Sequence, residues 1–276
     1  MSTPLARACS AIVGWAADRR LPRALRPFAH RTFARLTGAD LTEVRPPLDA
    51  YPSVGAFFVR RLVDGARTFP ENERSFGSPC DGHVQTIETA CGDSILQAKG
   101  QPYSLRELLA GAEAPFGGLE GVDLEGARVW TLYLSPSDYH RLHCPIRSRL
   151  DRVVWAGGCR YSVAPSVLER KPRVFVRNER AVLRLESDRG PWFLVLVGAL
   201  NVGRIRVVGV PQGAETPNRS DPRFELGEEL GRFELGSTAI VVWPGPGPDP
   251  IAGLEIGDPV CMGQPIAEFP SNGAGR

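Results

Sequence analysis

Downstream of residue 50 the chain is divided into short apolar runs, and this pattern restricts its fold more than any other feature. Arg128–Leu134, Val174–Val176, Ala181–Leu185, Trp192–Val197, Ile205–Val210 and Ala239–Trp243 are rich in Val, Leu and aromatic residues and are bounded by Gly, Pro or Asn. Such runs read as strands, because branched and aromatic side chains fit a pleated surface and the flanking residues supply the turns. Helix signals are few in this part. Ser104–Leu109 reads as a short helix with Ser104 as N-cap and Glu107 three residues on, and Pro165–Arg170 reads as a second. Pro, Gly and Asp alternate over Pro244–Pro250, which makes a loop. Residues 271–276 are expected to be a frayed tail. The expected class is α+β, with a mostly β core of sandwich- or barrel-like form and a helical N-terminal extension.

The 276 residues are 42% hydrophobic and 23% charged, enough for one sizeable core or two small ones. A net charge of +2 gives no reason to expect a nucleic-acid partner. Lys99 and Lys171 are the only lysines, which leaves two candidates for a pyridoxal-phosphate Schiff base. The six cysteines, Cys9, Cys80, Cys91, Cys144, Cys159 and Cys261, form no C-x-x-C pair and no zinc spacing. They read as free thiols in a reducing compartment, and no metal is expected. No run of 18 apolar residues spans a membrane, and the N-terminus lacks the features of a signal peptide. In residues 1–40, seven arginines face only Asp18 and Asp40. Leu21, Leu25, Phe28 and Leu36 recur on one helical face there. Such a basic amphipathic helix either lies in the headgroup region of an anionic membrane or packs on the domain or a second subunit.

Three segments carry chemistry. Gly236-Ser237-Thr238 contains a peptide bond at which a serine hydroxyl can attack the preceding carbonyl and convert amide to ester; elimination then leaves a pyruvoyl group. Ser78-Pro-Cys-Asp81-Gly-His83-Val84 places an acid in a tight turn before a strand, and Asp81-Gly82 is also plain turn chemistry. Tyr133 to Pro145 gathers Asp138, His140 and His143 at a strand exit, with two of the four histidines spaced to share one side of a turn. Activating a serine needs a base, and orienting an imidazole needs a carboxylate. Asp81, His143 and Ser237 can fill those roles. His83 is assigned a structural role.

These segments resemble the phosphatidylserine decarboxylase family from about Phe57 to Phe269. The resemblance rests on Phe57-Phe-Val-Arg60, Pro79-Cys-Asp-Gly82, Ile95-Leu-Gln-Ala-Lys-Gly100, Tyr103-Ser-Leu, Tyr133-Leu-Ser-Pro-Ser-Asp-Tyr-His-Arg-Leu-His143, Arg177-Asn-Glu-Arg180, Leu196-Val-Gly-Ala199 and Gly231-Arg-Phe-Glu-Leu-Gly-Ser-Thr238. Length and motif order resemble the long bacterial, membrane-associated branch. Gly257-Asp-Pro-Val and Gly263-Gln-Pro-Ile are also similar to a biotinyl/lipoyl-type hairpin, but no Met-Lys-Met attachment lysine accompanies them, so that likeness concerns fold alone.

The family resemblance implies the phosphatidylserine decarboxylase fold. It implies an N-terminal membrane-association region over 1–50 and a catalytic domain over 51–276. It further implies self-cleavage between Gly236 and Ser237 into a β chain, 1–236, and an α chain, 237–276, that begins with a pyruvoyl cofactor made from Ser237. The family's self-cleavage triad maps onto Asp81, His143 and Ser237. His140 maps onto substrate handling or protonation, with Asp138 in possible support. The implied partners are phosphatidylserine, an anionic membrane surface, the two chains of one precursor and a second subunit in a homodimer. The implied location is peripheral, on the cytoplasmic side of a bacterial cell membrane. Cys80 and Cys144 depart from the usual Ala and Met-like residues, which raises sensitivity to oxidation or thiol reagents. Arg61-Leu62 replaces the commoner Arg-Pro-Leu and is expected to be neutral. Two other readings stay open: a serine hydrolase using the same three residues, although no G-x-S-x-G elbow is present, and an unprocessed, inactive relative.

Overall fold

The computed structural model describes residues 15, 17–97, 101–110, 119, 121–199, 205–214, 222–234, 237–245 and 247–271. Helix α1 (Arg26–Thr37) follows a 3-10 turn at Arg23–Leu25 and carries Pro27 in its first turn, where a missing N–H costs nothing. It stops at Gly38, whose φ of 86° allows its N–H to reach the Ala34 carbonyl. His30 and Ala34 are buried; the His30 ring stacks on Phe57 at 4.7 Å, and Phe33 meets Phe57 and Phe58 edge-on. The apolar stripe read from the sequence lies on the other side. Leu25, Phe28 and Leu36 are 55%, 72% and 83% exposed. The helix therefore docks through its His30–Ala34 face and leaves its most hydrophobic side chains in solvent.

A short helix α2 (Val54–Phe58), capped by Ser53 Oγ, leads into the sheets. The strands follow in order as β1 (Ser75–Gly77), β2 (Gly82–Thr89), β3 (Ser94–Gln97), β4 (Gln101–Ser104), β5 (Arg128–Leu134), β6 (Arg141–His143), β7 (Ser148–Ala156) and β8 (Arg180–Ser187). The second half adds β9 (Gly190–Gly198), β10 (Ile205–Val207), β11 (Arg223–Phe224), β12 (Glu229–Phe233), β13 (Ser237–Trp243), β14 (Asp249–Pro250), β15 (Pro259–Val260) and β16 (Pro265–Glu268). Eight of them form one antiparallel sheet ordered β11-β7-β8-β9-β13-β5-β2-β15. Two three-stranded sheets, β10-β12-β6 and β1-β16-β14, and the hairpin β3-β4 complete the fold. Among the described residues the large sheet has two free edges and does not close into a barrel.

Both faces of the large sheet are covered, which explains why its central strands read as continuous apolar runs rather than as alternating ones. Trp130, Leu132, Leu183, Trp192, Leu194, Leu196, Ala239 and Val241 face one core, shared with Phe76, Leu142 and Phe233 of the small sheets. Val129, Val182, Phe193, Val195, Val197, Ile240 and Val242 face the other, shared with short helical segments through Leu105, Leu108, Leu168 and Phe175. Each fully buried Leu, Val or Phe contributes about 1.5–3 kcal/mol.

Four local expectations change, one of them at Asp249–Pro250, which was expected within a loop but pairs with Glu268 and Ala267 as β14. Val174–Val176 is not a strand but the buried part of a helical turn, Val174–Arg177. It starts from Arg173 in the left-handed region (φ 59°), which turns the chain as no strand entry would. Ile205–Val210 ends as a strand at Val207, because Gly209, at φ 72°, reverses the chain and lets Val210 bridge back to Val207. Pro165–Arg170 shortens to Pro165–Leu168. Ser104 does cap: the Glu107 N–H donates to its Oγ at 3.1 Å, although the helix itself runs Leu105–Ala110. Of the expected N-terminal helical region, residues 1–14 lie outside the described residues, as do tail residues 272–276, Lys99 and Cys9.

Candidate active site

The site forms where several strand ends of the large sheet meet. Ser237 opens β13 and stands in register with Leu134 of β5 on one side and Gly198 of β9 on the other. Gly236 and the Ser237 side chain lie outside the described residues. From Leu134 the chain turns through Ser135–Tyr139, and the His140 carbonyl then accepts the Phe233 N–H at 3.0 Å. This second contact fixes the strand that leads toward Ser237. His83, beside Asp81, pairs with Tyr133 and is exposed.

Asp81 sits immediately before β2 and is 7% exposed. A Cβ at Gly82 would lie 2.6 Å from the Tyr133 carbonyl oxygen, so the turn that delivers Asp81 needs glycine. Its carboxylate accepts from Arg67 Nε (2.9 Å) and Nη2 (2.6 Å), and from the Met262 N–H at 2.8 Å. Arg67 grips Glu43 with its remaining edge, at 2.8 and 2.9 Å. The hydrogen bond to Asp81, foremost among these contacts, raises the already high pKa of Arg67.

His143 is brought beside the Asp81 turn by its backbone, since its N–H donates to the Pro79 carbonyl at 2.8 Å. Its side chain is engaged elsewhere. Nδ1 lies 2.7 Å from the Gly227 carbonyl oxygen and Nε2 lies 3.1 Å from Tyr139 Oη. A carbonyl only accepts, so Nδ1 carries the proton and Nε2 receives the Tyr139 O–H. Among the described residues no hydrogen bond joins Asp81 to His143. Burial lowers the His143 pKa, and burial pushes the Tyr139 hydroxyl up to about 12. At neutral pH the pair is therefore a neutral imidazole and a neutral phenol.

His140 is fully buried against Phe58, at 4.0 Å between ring centroids. Its Nδ1 donates to the Asp138 carbonyl at 2.9 Å, and its Nε2 has no partner among the described residues. Burial, with the nearby Arg60 cation adding to it, drives the His140 pKa down to about 3. Asp138 closes the turn itself: its Oδ2 accepts the Ser135 N–H at 2.6 Å, and Arg60 Nη2 donates to the Ser137 carbonyl at 2.7 Å. Its carboxylate is thus a structural clasp that sets the His140 backbone.

A cavity of about 530 Å³ opens beside this cluster, lined by His143, Tyr139, Arg67 and Met262 together with residues 45 and 61–65. Sequence reasoning passed over Arg67 and Tyr139. Tyr139 stood inside the histidine-rich segment, where its position between Asp138 and His140 was the available signal; Arg67 carried no local signal. Cys80 and Cys144 are both fully buried. Burial raises the Cys80 pKa well above the ordinary thiol range and that of Cys144 to about 12, so neither is a reactive thiolate in the folded chain.

A model of the family described as phosphatidylserine decarboxylase matches residues 54–268. Among similar proteins, the phosphatidylserine decarboxylase proenzyme of Halorhodospira halophila is 42% identical over 250 residues, covering 87% of this chain and 82% of that protein. The proenzyme of Pseudomonas aeruginosa (strain LESB58) is 39% identical over 281 residues, covering 94% and 91%. That of Nitrosococcus oceani is 38% identical over 258 residues, covering 87% and 80%.

Proposed function

The chain belongs to the phosphatidylserine decarboxylase family, and we propose that it is a proenzyme that cuts itself between Gly236 and Ser237 and carries a pyruvoyl group made from Ser237. It is a decarboxylase of that family, and phosphatidylserine is the substrate this membership supports. A pyruvoyl ketone supplies an electron sink for the pair left on the substrate α-carbon when CO₂ departs. The fit of such a group is supported by the fully buried His140 Nε2, which has no partner among the described residues, and by the position of Ser237 at a strand end held from both sides.

The observation that carries this reading is the hydrogen bonding of the His143 ring, with Nδ1 on the Gly227 carbonyl and Nε2 facing the Tyr139 hydroxyl. Taking a proton from Ser237 requires a neutral imidazole with an available lone pair. Gly227 fixes the His143 proton on Nδ1, and the Nε2 lone pair already faces a hydroxyl, that of Tyr139. His143 is the base of self-cleavage, acting when the serine hydroxyl replaces the tyrosine hydroxyl. His140, neutral through the physiological range, holds no proton on Nε2 to give. It serves instead as an acceptor for the substrate ammonium group. Asp81 acts through its turn, whose Pro79 carbonyl seats the His143 backbone. Direct orientation of the His143 ring by Asp81 would require the carboxylate to leave Arg67.

The exposed Leu25–Phe28–Leu36 stripe, with Arg31 and Arg35 alongside it, supports peripheral attachment to an anionic bilayer. Among the described residues no helix is long and apolar enough to cross a membrane. Mass spectrometry of the purified chain tests the central reading. Two fragments, 1–236 and 237–276, are expected, the smaller without a free amine, and Ser237→Ala is expected to abolish both cleavage and CO₂ release. A single intact chain after long incubation at neutral pH would overturn it; a serine hydrolase would leave that result.

A further inference from the structure

Residues 43–45 and 61–63 run antiparallel beside the cavity. Val44 bridges Leu62, the Arg45 N–H donates to the Arg61 carbonyl at 2.9 Å, and the Val63 N–H donates to the Glu43 carbonyl at 2.9 Å. This register sets Arg45 directly opposite Arg61, with both side chains on one face. Like charges so placed repel unless an anion joins them. Both residues line the cavity that holds His143 and Tyr139. Neither guanidinium makes a hydrogen bond among the described residues. Arg45 Nη2 stands 3.7 Å from Asp64, and Arg61 Nη2 stands 3.8 Å from Glu229. Glu229 is already held by Arg141 Nη1 at 2.8 and 2.9 Å, so it does little to neutralise Arg61. The arginine side chains are 53% and 62% exposed, whereas Tyr139 is 5% exposed. The pair therefore marks the open end of the cavity and Tyr139 its buried end.

We propose that Arg45 and Arg61 form a subsite for the phosphodiester of the lipid substrate. The inference rests on the proposed function. A serine headgroup entering through this cavity leaves its phosphate toward the open end, because the glycerol and acyl chains stay with the bilayer. Two guanidinium forks on adjacent backbones match the oxygens of one phosphodiester. Arg61, at a position expected from sequence to be neutral, thereby becomes a determinant of substrate affinity.

The test uses the full chain and dihexanoyl phosphatidylethanolamine, a dispersed ligand with the phosphodiester but without the carboxylate. Calorimetric titration is expected to show binding that weakens about tenfold in Arg45→Gln or Arg61→Gln and about a hundredfold in the double variant, the scale of charge-assisted hydrogen bonds. Arg61→Lys should fall between Arg61→Gln and the parent. The KM for dihexanoyl phosphatidylserine should rise in parallel, with the loss carried by KM rather than kcat. Absence of binding in the parent chain overturns the proposal, as does equal binding in the double variant. In particular, a double variant that loses only its sedimentation with phosphatidylglycerol vesicles assigns the arginines to the bilayer surface. If the chain remains uncut and releases no CO₂, yet binds the short-chain phosphodiester through these arginines, the proposed function fails and the subsite stands.

Discussion

Acidification should destabilise this fold through His140, by an amount that follows from its burial. The imidazole titrates near an ordinary 6.5 when unfolded and near 3 in the fold. Its folded pKa is depressed, and the proton is lost from a cation rather than gained by an anion. The neutral form is therefore native at pH 7, and the unfolded state binds more protons once the pH drops below about 6.5. The stability is fully present above that value and is lost as pH falls from 6.5 toward 3. Each pH unit inside the window costs about 1.4 kcal/mol. At pH 5.0, about 1.5 units inside, His140 alone removes about 2 kcal/mol. Urea unfolding of the uncut Ser237→Ala chain, followed by tryptophan fluorescence at pH 7.5 and 5.0, measures the total loss. The same pair of curves for His140→Asn, whose amide can still donate to the Asp138 carbonyl, omits the titrating group. His143 and His30, whose pKa values are also lowered, act in both proteins and cancel in the comparison. The reasoning is refuted if the variant loses as much stability between the two pH values as its parent.

Three further outcomes are expected. Arg67→Met leaves Asp81 without its cation and should cost about 3–5 kcal/mol while slowing self-cleavage; denaturation and gel assays check both, and cleavage at the parental rate would show that the grip on Asp81 is dispensable. Peptide mapping after brief treatment with a thiol reagent should find Cys91 and Cys261 modified and Cys80 and Cys144 protected until the chain unfolds, in line with their burial; inhibition that tracks Cys144 labelling would contradict this. Phe28→Ser with Leu36→Ser should leave the fold intact, since both side chains are mostly exposed, but reduce sedimentation with anionic vesicles severalfold; unchanged sedimentation would remove α1 from the attachment surface.

Much of the fold was legible because the apolar runs record burial on both sides of one sheet. Trp192–Val197 and Ala239–Trp243 could only be strands with partners above and below. Val174–Val176 was ambiguous for the same reason: three consecutive buried apolar residues fit a strand or one helical turn, and the deciding factor was the left-handed Arg173 before it. The site was legible at the level of residue type. The backbone links His143 to the Asp81 turn, and Ser237 pairs with Leu134, but spacing along the chain did not reveal the side chains' hydrogen-bond partners. Arg67 lies far from Glu43 in sequence and its grip on Asp81 depends on tertiary packing, so no local pattern announced it. Likewise the amphipathic stripe of α1 gave a helix but not its orientation, because His30 and Phe33, rather than Leu25, Phe28 or Leu36, meet Phe57.

The setting of β13 between β5 and β9 has a consequence for how the protein can be made. Ala239, Ile240, Val241 and Val242 are wholly buried, and among the described residues β13 and β15 pair only with strands that precede Ser237. A break ahead of Ser237 would therefore divide the covalent chain without dividing the core. The uncut precursor assembles as a single molecule, at a rate independent of its concentration. Once cut and denatured, the same structure would have to be recovered by the encounter of two separate chains, so its yield would fall on dilution. Folding would precede cleavage in a fixed order, and the break would make the finished molecule one that dilute solution does not readily rebuild.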